Sequence, residues 1–241
     1  MTTEVVAFKK FNPDEHLTWK LLFEKQSKLR SVQIYEIFDR GIDLLGFTPA
    51  HIPELSSVNA KLNKLTGFEG VPVAGLEEYE NFFKLLAKRK FPIGNFIRNK
   101  EDLSYTPAPD VFHDLYGHIP FFSDSNYASY CTEFGKRAAK YAGNATILTQ
   151  FSRLFWFTNE FALIKTPNGK RIFGAGITSS FGECAYALSD DPEVRPFDLE
   201  RIRNHDFRID EFQKVLYILE NERDLYTCLD AFEAGLPKNS P

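Results

Sequence analysis

Apolar residues recur along most of this chain at intervals of three and four, the period of helices with one buried face. The first run opens at Asn12-Pro13-Asp14-Glu15, with Asn at the N-cap, Pro at the first helical position and Glu at the third. It continues with Trp19, Leu22, Phe23 and Leu29 turned inward. Further helices are predicted over 32–45, 58–65 and 78–88, the last led by Tyr79, Phe82, Phe83 and Leu86. Tyr127, Tyr130, Phe134, Ala138 and Tyr141 repeat the same step, and Gly143 is placed to end that helix. The segment 147–164 is apolar almost throughout and reads as a buried helix, and a long final helix is predicted over about 210–232. Extended pieces are predicted only near 71–73 and 171–173, so the expected architecture is mainly α with minor β. No repeat, low-complexity tract or Gly/Ser linker divides the chain. It is read as one domain over 1–241, with a short extension at about 1–11 and a tail at about 234–241.

Composition narrows the function more than the fold. A net charge of −4 and a pI near 5.8 disfavour a nucleic-acid surface, and the short cationic cluster at 84–90 reads as a solvated helix face. No apolar stretch is long enough to span a bilayer and no secretory segment opens the chain, so no membrane partner is expected. Cys131, Cys184 and Cys228 are odd in number, far apart and without CxxC spacing, which fits a reducing cytoplasm. The 24 Phe and 10 Tyr against one Met suit either an aromatic ligand or plain ring packing.

Two of the five histidines, His113 and His118, fall five residues apart in a single segment. On a regular α-helix five steps turn a side chain by roughly 500°, about 140° net, so the two rings would diverge. Gly117 offers a way to end the helix just before His118 and turn its ring back, with Pro120 preventing continuation. The other reading is two unrelated histidines. Glu160 is the only ionisable residue in 154–164, with Trp156, Phe157, Leu163 and Ile164 at helical neighbour positions. An unpaired carboxylate there would cost several kcal/mol, so it needs a metal, a cation such as Arg153, or a proton. Two imidazoles and a carboxylate are the donor set of non-haem Fe(II) oxygenases and, less specifically, of His₂Glu zinc hydrolases.

The chain resembles the tetrahydropterin-dependent aromatic amino acid hydroxylases from about His16 to Phe232. The resemblance rests on PVAGL (72–76), FIR (96–98), YTPAPDVFHDLYGHIPFFSD (105–124), WFTNEFAL (156–163) and GAGITSSFGE (174–183), in that order. It implies a single catalytic domain of that family, most like the bacterial phenylalanine 4-hydroxylases. It also implies Fe(II), a tetrahydropterin and O₂ as the reagents of ring hydroxylation. By the same resemblance His113, His118 and Glu160 hold iron, and Arg98 clamps the substrate carboxylate. Thr106 and Ser179 hydrogen-bond around the amino acid, Trp156 walls its pocket and Glu183 lies beside the active site. Phe82 stacks on the pterin, Gly75 and Leu76 give it backbone contact, and Asp114 lies near it or its water.

Several positions depart from the family pattern. Glu77 and Tyr79 stand in the pterin loop where animal members are smaller or less charged, Phe155 replaces a common Tyr, and Asn159 replaces a usual Val. The family's regulatory domain, its tetramer-building tail and part of the segment that lids the pterin are absent from the match, so a monomer without substrate allostery is expected. Trp156 matches the phenylalanine-specific members, whereas tryptophan-specific ones tend to carry Phe. Ile209 stands where tyrosine-specific members place Asp, which points to phenylalanine rather than tyrosine. Tryptophan hydroxylation, meta hydroxylation of phenylalanine, a zinc hydrolase and a non-catalytic metal- or pterin-binding module stay open.

Overall fold

A computed structural model describes residues 6–28, 30–101, 103 and 108–237, so that Leu29 and Thr106 lie outside the described residues. Helix α1 (Pro13–Ser27) starts as its sequence requires. The Asn12 side chain accepts from the Glu15 N–H (3.0 Å), and the Glu15 carboxylate accepts from the Asn12 N–H (2.9 Å). Trp19, Leu22 and Phe23 are buried.

The helix predicted over 32–45 is two, α2 (Arg30–Gln33) and α3 (Glu36–Leu45). The break has a tertiary cause, because the Tyr35 N–H donates to the carbonyl of Ile172 (2.8 Å) and Ile34 bridges to that same residue. Helix α4 (Leu55–Thr66) leads into β1 (Glu69–Val73), which pairs in parallel with β2 (Lys90–Gly94) across the crossover helix α5 (Tyr79–Ala87). The second strand was not expected, since Lys90-Phe91-Pro92-Ile93-Gly94 is too short to show a period of its own.

Helices α6 (Ser125–Ala139) and α7 (Ala145–Phe155) follow, opened by the side chains of Asp124 and Asn144. The helix predicted to reach Ile164 does not. After α7 the chain turns through a π-helical segment into strand β3 (Ala162–Thr166), which hairpins with β4 (Gly169–Ile172). Short helices α8 (Ala175–Thr178) and α9 (Phe181–Leu188) lead to β5 (Glu193–Pro196) and α10 (Leu199–Arg203).

The long helix expected over 210–232 is corrected in its first half. Residues 215–219 form β6 (Val215–Leu219), inserted in parallel between β3 and β5, so the sheet order is β4-β3-β6-β5. Only from Asn221, which caps reciprocally with Asp224, does α11 (Glu222–Ala234) begin. A short apolar run reads equally as buried strand or buried helix, and here neighbouring strands decided it. The fold is mainly α with minor β.

The ring-rich composition is absorbed largely by packing. Phe112 stacks on Tyr116 with centroids 4.6 Å apart, Phe68 stacks on Phe122 at 4.4 Å, and Phe151 meets Phe83 and Phe134 edge to face. Each such buried ring contributes roughly 1.5–3 kcal/mol relative to exposure. This aromatic core is the wall against which the candidate site is built.

Candidate metal centre

His113, His118 and Glu160 offer ligand atoms that lie within 4.8 Å of one another. Two π-helical turns bring them together, Phe112–His118 and Trp156–Glu160. In each, an N–H bonds the carbonyl five residues back: Ile119 to Asp114 at 3.2 Å, and Phe161 to Trp156 at 2.9 Å. The wider turn places residue i+5 close above residue i, so the two histidines project to the same side. Their Nε2 atoms are 3.1 Å apart.

The role foreseen for Gly117 as a helix end is therefore corrected. The turn runs through it, and its glycine is required for another reason. A Cβ at 117 would lie 2.9 Å from the Ala175 carbonyl oxygen and 3.0 Å from the Ser179 Cβ. Gly174 is equally constrained, since a Cβ there would lie 2.1 Å from the Glu160 carbonyl oxygen. These two close approaches let the 174–179 segment pack between the turns.

That packing sets the tautomer of His113. Ser179 Oγ lies 3.2 Å from the Gly176 carbonyl and 2.9 Å from His113 Nδ1. With its one proton given to the carbonyl, the hydroxyl accepts from Nδ1–H and leaves the Nε2 lone pair free for a metal. Burial pushes the His113 imidazole down to about 4, so at neutral pH it has the uncharged form a ligand needs. Ser179, expected among the groups around the amino acid, thus also holds a candidate ligand. His118 is oriented by ring packing, with Phe91 4.5 Å away.

Glu160 faces His118 Nε2 at 3.1 Å and His113 Nε2 at 3.8 Å. Burial works against its charge. The two imidazoles and a hydrogen bond from the Gly176 backbone still hold the carboxyl below the usual carboxylate range. Arg153 turns instead to Asp206 and to the Arg203 carbonyl, so it is not the partner of Glu160. A metal about 2.1 Å from two donors at right angles would separate them by about 3.0 Å, close to two of the three spacings here. The His118 side chain is 1% exposed, against 17% for His113 and 13% for Glu160, so the group is closed on one side and open on the other. The donor set and its spacing fit a single metal ion with exchangeable positions.

Arg98 is buried and already has a bidentate partner. Asp110 accepts from its Nε (2.8 Å), its Nη2 (2.9 Å) and its backbone N–H (2.9 Å). Asp110 also accepts from the His113 N–H at 2.9 Å, so one carboxylate ties Arg98 to the first π turn. Burial opposes the Asp110 charge, but Arg98 holds its carboxyl below the usual range. Nη1 of Arg98 reaches the Leu103 carbonyl at 3.3 Å. Asp110 was missed by sequence reasoning. Its one signal is its place three residues before His113, which cannot reveal the arginine it meets.

Trp156 opens the second π turn and stacks on Phe207 with centroids 4.2 Å apart and planes at 10°. Glu183 sits in the first turn of α9, where burial pushes its carboxyl up to about 7. Phe82 packs edge-on against Phe155 (4.9 Å), whose ring lies parallel to His118 at 6.5 Å. This chain of rings links α5 to the metal centre. Gly75 and Leu76 are exposed between β1 and α5. Asp114 is nearly buried and accepts from the Gly94 N–H at 2.6 Å, and burial raises its carboxyl well above the usual range. Ile209, at the position where tyrosine-specific members place Asp, is 73% exposed.

The fold and the donor set define a class: a mainly α protein built around one candidate mononuclear metal site. The chain matches the family described as biopterin-dependent aromatic amino acid hydroxylase over residues 2–240, and it belongs to that family. It is 40% identical over 212 residues to the phenylalanine-4-hydroxylase of Caulobacter vibrioides, covering 88% of this chain and 72% of that protein. To the Chromobacterium violaceum phenylalanine-4-hydroxylase it is 38% identical over 233 residues, covering 96% and 76%. The crystal structure of the Chromobacterium violaceum enzyme with bound iron(III) and oxidised 7,8-dihydrobiopterin has a TM-score of 0.87 at 38% identity, covering 93% of this chain and 81% of that one. Its cobalt-bound structure has a TM-score of 0.89 at 37% identity, covering 96% and 82%.

Proposed function

We propose that this chain is a mononuclear non-haem iron monooxygenase that uses a tetrahydropterin and O₂ to convert L-phenylalanine to L-tyrosine. The observation that carries the reading is the convergence of His113, His118 and Glu160, closed on the His118 side and open on the other, in a member of this family. These three side chains would hold iron, which with the reduced pterin supplies the oxygen activation and ring hydroxylation. The rest falls to the protein, whose task is orientation in a pocket that excludes water.

Ser179 fixes the His113 tautomer through Nδ1. Asp110 presets the Arg98 guanidinium, leaving its other N–H groups for a substrate carboxylate, and Thr106 is assigned to the same amino acid. Trp156 walls the ring and Glu183 lies at the substrate side. Phe82, with the backbone of Gly75 and Leu76, would receive the pterin, and Asp114 would stand behind it. The proposal covers the whole chain as one catalytic domain, working as a cytoplasmic monomer. Support for the compartment is that the described cysteines are unpaired and that no described helix is long and apolar enough to cross a membrane.

The test is amino-acid analysis after incubation with Fe(II), tetrahydropterin, O₂ and phenylalanine, with sedimentation to count subunits. Tyrosine formed only when all four are present is the expected result. Pterin-independent, zinc-dependent hydrolysis, or a product hydroxylated mainly at the meta position, would overturn it.

A further inference from the structure

Between α10 and β6 the chain runs through residues 204–214 without regular structure, and one side chain ties this loop to the candidate active site. Gln213 is nearly buried, and its amide is engaged at both ends. Its Oε1 accepts from the Trp156 indole N–H (3.1 Å), while its Nε2 donates to the carbonyls of Arg208 (2.7 Å) and Glu211 (3.0 Å). Flipping the amide would set a donor against a donor and an acceptor against two acceptors, so the orientation is determined. The same loop lays Phe207 flat on the Trp156 ring and sends Phe212 to Tyr186 (5.0 Å), on the helix that carries Glu183. Trp156 in turn begins the π turn that ends at Glu160, through the Phe161 N–H bond to its carbonyl. Loop, indole and candidate metal ligand are thus one connected piece.

We propose that Gln213 is a specificity-determining positioning residue: by tying the 204–214 loop to Trp156 it fixes the wall that the substrate ring meets. The inference rests on the function proposed above and moves the discrimination against hydroxylated rings away from exposed Ile209. Both N–H groups of the Gln213 amide are spent within the protein, so it has no donor for a ring hydroxyl. The indole N–H is likewise occupied. A tyrosine hydroxyl brought against this wall loses water without finding a donor to replace it, whereas an unsubstituted phenyl ring loses nothing. Cutting the tie frees the indole N–H and lets the wall move, so selectivity between phenylalanine and tyrosine should fall.

The experiment uses Gln213→Met, which keeps the length and removes all three bonds, and Gln213→Glu, which keeps only the acceptor for the indole. Each is made in the wild-type and Trp156→Phe backgrounds. Trp19 and Trp156 are the two tryptophans, so in a Trp19→Phe background Trp156 alone reports by fluorescence. Gln213→Met should raise acrylamide quenching of Trp156. It should raise the KM for phenylalanine by about tenfold, with the pterin KM little changed, and narrow the phenylalanine-to-tyrosine ratio of kcat/KM. Gln213→Glu should retain more of the indole's protection than Gln213→Met. In the Trp156→Phe background both substitutions should have little further effect on the phenylalanine KM, because residues acting through one another are not additive. Equal effects in both backgrounds, or unchanged quenching, overturn the inference even while phenylalanine is turned over. If Gln213→Met does not fold, the Gln213→Glu pair reads the same coupling. Failure of the wild-type chain to hydroxylate phenylalanine overturns the underlying function instead.

Discussion

Replacing Asp110 by alanine removes a carboxylate that serves four donors at once: the Arg98 Nε, Nη2 and backbone N–H, and the His113 N–H. Both side chains of the ion pair are shielded, Arg98 at 5% exposure and Asp110 at 0%. The variant therefore keeps a buried guanidinium without its partner. Breaking a buried pair from one side costs about 3–5 kcal/mol, a large part of the roughly 5–15 kcal/mol that holds a domain folded. For a chain of this size that is a fall in Tm of roughly 6–20 °C. Urea unfolding of wild type and Asp110→Ala across pH 5–8 measures it. The folded pKa of Asp110 lies below its ordinary 3.8, so its contribution is present above that value and is lost only as pH falls through the folded one. The gap between the two proteins should therefore be constant over the whole range. A double replacement, Arg98→Met with Asp110→Leu, should recover the part of the loss due to the unpaired cation, but not the part due to the two unpaired backbone N–H groups, while losing phenylalanine binding. A gap below 1 kcal/mol, or one that changes between pH 5 and 8, would refute the assignment of a buried, permanently charged pair.

Three further outcomes follow from the same geometry. His113→Ala, His118→Ala and Glu160→Ala should each abolish hydroxylation and lower iron content by elemental analysis, because a three-donor site with one donor missing holds its metal poorly. Ser179→Ala should weaken Fe(II) binding by roughly 10–100-fold in a competitive chelator titration, since His113 loses the partner that sets its tautomer. Asn159 donates to Tyr127 Oη (2.9 Å) and to Cys131 Sγ (3.4 Å) behind the second π turn. Asn159→Val should therefore cost about 1–3 kcal/mol in urea unfolding by taking the amide donor from the tyrosine hydroxyl, and adding Tyr127→Phe should recover much of it.

Features that depend on neighbours along the chain were legible without the fold. The capping box at Asn12 and Glu15 and the spacing of Tyr127, Tyr130 and Phe134 located α1 and α6, because a cap or an apolar face is written within a few residues. Glu160 was conspicuous for the same reason, as a lone carboxylate among apolar helical neighbours. The resemblance added the assignments of Arg98, Phe82 and Asp114. It did not reveal that Asp110 occupies one edge of the Arg98 guanidinium or that Asp114 bonds the Gly94 N–H.

The pairing of His113 with His118 shows where local reading ends. Their five-residue spacing contradicts a continuous α-helix, and the sequence was read as a helix end at Gly117 or as two unrelated histidines. The chain adopts the wider turn, and Gly117 is needed because the 174–179 segment presses against it. The strand at 215–219 was decided in the same way. Val215-Leu216-Tyr217-Ile218-Leu219 would bury its side chains in either conformation, and β3 and β5 on its two sides supply the backbone partners that only a strand can use. On its own the sequence pointed to the candidate donor residues, the family and the helices whose signals are local. The tertiary structure decided which apolar runs became strands, how the π turns align the donors and which buried charges meet, because each of those depends on groups brought close from distant parts of the chain.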